Sequence, residues 1–174
     1  MRYYVLKELA GLRGPDILNY SEVINYRAFR ENQPYRITKR NICVVKNPTD
    51  FGDILLTPFP LFSEMAKEAL DLFLWECEYK EYDFLSHDRS ESFHYYLPFF
   101  RRISGGYEEF TSPEGVKGVS VILKEAIPED IPIVYVDTNA ELLMIVRLDL
   151  IESLLRRGLC SVHMMRANIK VGSE

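Results

Sequence analysis

A single α+β domain over residues 1–174, with a mainly antiparallel sheet packed against two or more helices, is predicted by three observations. First, residues 119–165 alternate between strand and helix signatures, as strand, strand, turn, strand, short helix and strand. Second, Asp137-Thr138-Asn139 joins two of those strands by a connection too short for a parallel crossover, which takes about a dozen residues. Third, residues 63–75 show the period of an amphipathic helix. At 174 residues, 47% apolar and 27% charged, the chain is long enough to bury a sizeable core.

Residues 2–7, rich in Tyr and Val, read as the first strand. Residues 8–34 contain Gly11, Gly14, Pro15 and Pro34 and little periodicity, so mostly loop is expected, with one helical turn after Asn19. Strand character returns over 35–45, and Asn47-Pro48-Thr49-Asp50 is a turn signal. Residues 54–56 form a brief strand before Pro58 and Pro60.

In the helix at 63–75, Ser63 is placed to cap the first-turn amides, and Glu64 and Glu68 lie near the positive end of the dipole. Met65, Ala66, Ala69, Leu70 and Phe73 form its apolar stripe. Past Leu72 the apolar character goes nearly all round, which implies an end covered on more than one side.

Strands are expected at 79–85 and 93–103, with Pro98 breaking the second or placing it at a sheet edge. Gly105-Gly106 reads as a turn and 112–118 as a loop. Strands follow at 119–123, 131–136 and 142–146, then a helix at 149–157 with Leu150, Ile151, Leu154 and Leu155 inward. Glu152 can pair with Arg156, Gly158 supplies a left-handed cap, and a last strand covers 160–165. The expected core includes Leu70, Phe73, Val134, Val136, Ile145, Ile151 and Leu154.

Composition narrows the function classes. A net charge of -5 and a pI near 5.3 argue against general affinity for nucleic acid or anionic membrane. No apolar run approaches the roughly 20 residues of a membrane span, and Lys7 and Glu8 interrupt the opening apolar run too early for a signal peptide. Cys43, Cys77 and Cys160 are odd in number and far apart, a pattern of reduced thiols. A cytoplasmic protein is expected.

The densest polar cluster is residues 86–94. His87, Asp88, Glu91 and His94 could be metal ligands, or Ser92 could pair with a histidine base, which would make a small enzyme. The spacing matches no zinc signature, and small polar residues between two strands ordinarily form a solvated loop. Phe93, Tyr95, Tyr96, Phe99 and Phe100, followed by Arg101-Arg102, could stack single-stranded nucleic acid. The acidic balance favours core filling instead, with the arginines emerging at the rim. Cys43 and Cys160 lie in apolar strand contexts suited to inert thiols, and His163 suits a strand residue facing water or a satisfied core histidine. No catalytic residue, metal or cofactor is assigned.

Charge is distributed unevenly. Residues 27–46 hold six basic residues (Arg27, Arg30, Arg36, Lys39, Arg40 and Lys46) and the single acid Glu31, whereas 64–91 hold nine acids and three bases. The latter segment is the candidate partner-binding surface, through Glu64, Glu68, Asp71, Glu78 and Glu81, because an acidic face speeds encounter with a basic protein.

Three pieces resemble a bacterial family of small uncharacterised proteins regarded as immunity proteins of polymorphic-toxin systems. They are Tyr3-Tyr4-Val5-Leu6, the proline-flanked approach to Ser63 and its helix with Tyr95-Tyr96-Leu97-Pro98 beyond, and the run from Ile127 through Ile133-Val134-Tyr135-Val136 to Gly158 and the last strand. Residues 11–41 and 76–92 do not take part, and Leu159-Cys160-Ser161 stands where the family pattern often has a second glycine. The resemblance implies binding and neutralisation of a cognate protein toxin and carries over no catalytic residue. An accessory protein of a mobile element, recognised by self-assembly into a homo-oligomer, is the third expectation.

Overall fold

The computed structural model describes residues 1–9, 14–46, 51–88, 90–113, 115–159 and 162–172. In chain order its elements are β1 (Tyr3–Glu8), α1 (Tyr20–Val23), α2 (Tyr26–Arg30), a 3-10 turn (Pro34–Arg36), β2 (Arg40–Val45), β3 (Ile54–Leu55), β4 (Leu61–Ser63) and α3 (Glu64–Asp71). There follow β5 (Glu78–Ser86), β6 (Ser92–Phe99), β7 (Arg102–Thr111), β8 (Lys117–Leu123), β9 (Ile133–Asp137), β10 (Leu142–Arg147), α4 (Leu148–Arg156) and β11 (Val162–Val171). Strand makes up 46% and helix 18%, so the chain is α+β as expected. The pairing is mainly antiparallel, but it lies in two sheets and both are mixed rather than purely antiparallel, because β2–β5, β7–β9 and β8–β11 pair in parallel. Contacts divide the chain into two compact units, one from residues 1–7, 100–158 and 162 onward, the other from residues 8–99 and the short stretch after Gly158.

The first unit is a closed barrel of order β1-β10-β9-β7-β8-β11. Its interior follows from the two-residue period of strands: Val119, Val121 and Leu123 point inward from β8, Val134 and Val136 from β9, and Leu143 and Ile145 from β10. Val5, Ile103, Met165 and Ala167 complete the cluster. β9 and β10 pair antiparallel across the turn, as the short connection requires, with Val136 opposite Leu143. Thr138 holds that turn through its hydroxyl, which donates to the Glu141 carbonyl at 2.6 Å.

In the first turn of α4, Asp149 Oδ1 accepts the Leu150 amide at 2.9 Å, and past its end Gly158, with φ of +95°, is the left-handed cap expected there. Glu152 and Arg156 lie 3.9 Å apart. Leu150, Ile151 and Leu154 are buried, whereas Leu155 is 44% exposed rather than part of the stripe.

The turn expected at Gly105-Gly106 is instead the middle of β7. Arg102–Ser104 pair with β9 and Gly105–Thr111 with β8, so the strand changes partner at Gly105. A Cβ there would stand 2.6 Å from the Ile122 carbonyl oxygen and 3.0 Å from Val136 Cγ1. The glycine permits a close backbone approach at a barrel corner, a position that looks like a turn in one dimension. β11 also runs beyond its expected end at 165, because its register with β8 begins at Arg166.

The second unit is a five-stranded sheet of order β2-β5-β6-β4-β3. Aromatic rings fill its interior: Phe29 packs on Phe59 at 5.5 Å, Phe59 on Tyr82 at 5.3 Å, and Phe51 stacks on Phe93 at 4.4 Å and tilts against Phe84 and Tyr95. α1 is the helical turn expected after Asn19, whereas α2 forms where loop was expected, being too short to leave a period in the sequence. Asn32, at φ 52°, ends α2 with its amide donating to Phe29 and the Gln33 amide to Ala28, a left-handed cap made without glycine. β2 starts at Arg40 rather than 35, because residues 34–36 curl into the 3-10 turn.

Ser63 caps α3 as expected, accepting the Ala66 amide at 3.3 Å, and Ala66, Ala69 and Leu70 are buried. The helix stops at Asp71, short of the expected 75. Leu72 is 65% and Trp75 99% exposed, so the expectation of a covered helix end is corrected. Phe73 is part-buried, while the other six expected core residues are buried. The strand expected at 93–103 divides into β6 and β7 around Phe100 and Arg101. Pro98 lies inside β6 opposite Tyr79, two residues past Tyr96, where the register with β4 ends.

Candidate partner-binding surface

Strand alternation sorts β5 and β6 into two faces. Tyr82, Phe84, Tyr95 and Leu97 face the aromatic interior, which sends Tyr79, Glu81, Asp83, His94 and Tyr96 to the other side. There Lys67 of α3 stands 5.0 Å above the Tyr79 ring and 5.2 Å above the Tyr96 ring, two cation–π contacts that hold the ammonium in place. Lys67 pairs with Asp71 at 2.5 Å, one helical turn on. The Tyr79 hydroxyl donates to Asp71 at 3.0 Å and the Tyr96 hydroxyl to Glu64 at 2.5 Å. Burial raises both phenols above their ordinary range, and the neighbouring carboxylates raise them further, so each stays a donor at neutral pH.

The surface continues along the strands. His94 packs edge-on against Tyr96 at 4.6 Å, and its Nδ1 lies 2.5 Å from Asp83 Oδ1. Arg40 donates to the other Asp83 oxygen at 2.6 Å. Burial opposes ionisation of Asp83, but the bonds from Arg40 and His94 outweigh it and hold the carboxyl below its ordinary value. A histidine oriented by a carboxylate is the geometry of a general base. Among the described residues, however, no hydroxyl or thiol hydrogen-bonds to His94.

Of the five acids expected to meet a partner, Glu64, Asp71 and Glu81 converge on this face, Glu81 lying opposite Tyr96 in the sheet register. Glu68 is exposed on α3 with no ion pair among the described residues. Glu78 is exposed at the start of β5 and pairs with Lys80 at 2.7 Å. Sequence alone could mark these residues as acidic. The tyrosines and the lysine that position two of them arrive through strand pairing and helix packing.

The polar cluster at 86–94 does not converge into one site. Asp88 accepts the hydroxyls of Ser86 at 2.6 Å and Ser90 at 2.7 Å and the Ser90 amide at 3.0 Å, the bonding of a hairpin turn. Those bonds depress the Asp88 carboxyl to about 2. His87 is exposed and His94 lies out on β6. Among the described residues no group of three or more His, Cys, Asp or Glu is arranged to hold a metal.

The aromatic run at 93–100 is divided between interiors and the Lys67 face. Phe93 stacks on Phe51, Phe99 meets Phe29 at 5.9 Å and Phe100 packs on Tyr135 at 5.0 Å. Arg101 emerges to Glu125, and Arg102 lies 5.5 Å over the Tyr135 ring. In the basic stretch, Arg27 pairs with Glu31 at 2.7 Å. Burial pushes the Cys43 thiol up to about 12 and the Cys77 thiol up to about 11, which leaves both protonated at neutral pH. Cys160 lies outside the described residues. His163 is exposed on β11, which is the water-facing setting of the two expected for it and not the core one.

What the sequence did not disclose is the apolar group beside the acidic face. Trp75 and Leu72 stand in water, and a shallow cleft lined by Asp71, Leu72, Leu74, Trp75, Cys77 and Tyr79 runs past them. No protein-family model matches the chain, and no curated protein matches it.

Proposed function

We propose that the protein is a protein-binding module, an immunity protein that neutralises a cognate bacterial toxin in the cytoplasm by direct binding, without turnover of its own. The observation that carries this reading is the acidic face of the second unit. Glu64 and Asp71 are held by the Tyr96 and Tyr79 hydroxyls, and Asp71 also by Lys67, so the surface is ordered before a partner arrives. Such preorganisation lowers the ordering cost of association, and the excess negative charge accelerates encounter with a basic partner. The resemblance to immunity proteins supports the same reading.

The test is to co-express the chain with its genomic neighbour and to measure both rescue from toxicity and complex formation. Rescue together with a stable complex supports the reading. Rescue without a complex points to an enzymatic antidote, and the absence of both, with self-assembly of the chain, points to an accessory protein.

A further inference from the structure

A tryptophan whose whole surface meets water is an unusual residue for a folded chain to keep in the open, since large aromatic side chains belong to cores and interface centres. Trp75 is 99% exposed, and its neighbour Leu72 is 65% exposed. Leu74 and Phe73 between them are part-buried, so the segment is tethered at its middle with its two largest exposed groups held outward. The rim carries an excess of negative charge. Between Lys67 and Glu81 there are five acids and two bases, and both bases are engaged at home, Lys67 by Asp71 and Lys80 by Glu78. Glu68 and Glu76 are exposed and make no ion pair among the described residues.

Building on the protein-binding reading, we propose that Trp75 and Leu72 are the anchor of that interface. Their occupant is a basic protein segment that lays an arginine guanidinium on the indole and meets Glu68, Asp71, Glu76 and Glu78 around it. Arginine fits better than lysine, because its planar cation both stacks on an aromatic face and forks onto carboxylates. An apolar centre inside a charged rim is also the ordinary anatomy of a protein interface.

Trp75 is the chain's sole tryptophan, so its fluorescence reports on the site directly. The experiment titrates the full chain with a synthetic Arg-Ala repeat peptide at low salt, with Lys-Ala and Glu-Ala peptides as comparisons. The expected result is a saturable change in indole emission with the arginine peptide, weaker with lysine and absent with the acidic peptide. The response should fall as salt rises. It should also be lost in E68K/E76K, which keeps the tryptophan and alters exposed side chains only. No response to the arginine peptide, an equal response to the acidic one, or an undiminished response in E68K/E76K would overturn the anchor. An emission shift that depends on protein concentration, without peptide, would overturn it in favour of a second copy of the chain.

With the cognate partner in hand, Trp75→Ala should weaken the complex by about 30-fold, the scale of an interface hot spot. A complex that forms with unchanged affinity in Trp75→Ala overturns the anchor while leaving the protein-binding reading intact. Absence of any complex with the unaltered chain removes that reading itself.

Discussion

Gly105 and Gly106 are adjacent in β7, yet adding one methyl group to each should move stability in opposite directions. At Gly105 the new Cβ would lie 2.6 Å from the Ile122 carbonyl oxygen, about 0.8 Å inside the 3.4 Å at which ordinary contact begins, and 3.0 Å from Val136 Cγ1. The oxygen belongs to the backbone of β8 and cannot rotate away, so the barrel must open where β7 changes partner. Overpacking of this kind costs about 1–3 kcal/mol. Alanine returns about 0.4–1 kcal/mol by narrowing the unfolded ensemble, which leaves Gly105→Ala destabilised by about 1–2 kcal/mol. At Gly106 nothing lies within 4 Å of the added Cβ and φ is outside the left-handed range, so only the unfolded-state gain remains. Thermal midpoints should then fall by about 2–8 °C for Gly105→Ala and rise by about 1–4 °C for Gly106→Ala, at about 2–4 °C per kcal/mol for a chain of this size. Far-UV circular dichroism during heating and during urea titration measures both. Equal shifts in the two variants would refute the close approach at the barrel corner.

Three further outcomes follow from polar groups that are buried or part-buried. The Tyr82 hydroxyl is buried without a hydrogen-bond partner among the described residues, whereas Tyr95 donates to the Gly52 carbonyl at 2.6 Å; urea denaturation should therefore show Tyr82→Phe neutral or stabilised by up to about 1 kcal/mol and Tyr95→Phe destabilised by a similar amount. Asp83 has its folded pKa depressed below 3.8, so its pairing contributes fully above pH 3.8 and is lost as pH falls through the lower folded value; Asp83→Asn should lose about 1 kcal/mol at neutral pH and show a shallower acid limb, and an unchanged limb would contradict the Arg40 and His94 bonds. With its thiol pushed up to about 11, Cys77 should react with iodoacetamide at pH 8 many times more slowly in the native chain than in urea, read by peptide mass mapping.

What the sequence showed of this fold depends on how local each cause is. The β9–β10 hairpin, the Ser63 cap and the Gly158 cap each rest on residues a few positions apart, and all three stand in the structure. The parallel pairs do not: Arg40 meets Glu81, and Val171 meets Leu123, through registers set by the whole unit. Gly105 looked like a turn because the atom that requires a glycine, the Ile122 oxygen, belongs to another strand. α2 leaves no signature in the sequence for a related reason. Five residues are too few to show a helical period, and its left-handed terminus uses Asn32 where glycine is the usual signal.

The candidate surface divides along the same line. Acidic residues are visible as letters, so Glu64, Glu68, Asp71, Glu78 and Glu81 could be named in advance. Their roles could not, because role depends on partners that only tertiary structure supplies. Reversing Glu64 or Asp71 would break bonds to Tyr96, Tyr79 and Lys67 and so disturb the surface itself, whereas reversing Glu68 changes the field alone. The apolar group at the end of α3 inverts the usual inference. A run of large apolar residues reads as core, but that rule works in one direction only, since folded proteins also keep apolar surface in water. Leu72 and Trp75 carry the pattern of a buried segment and stand uncovered. Within the protein-binding reading, the pattern and its exposure have one cause, because the chain holds open what its partner covers. A binding surface of this kind leaves its trace in sequence as an apparent error of burial beside an excess of charge.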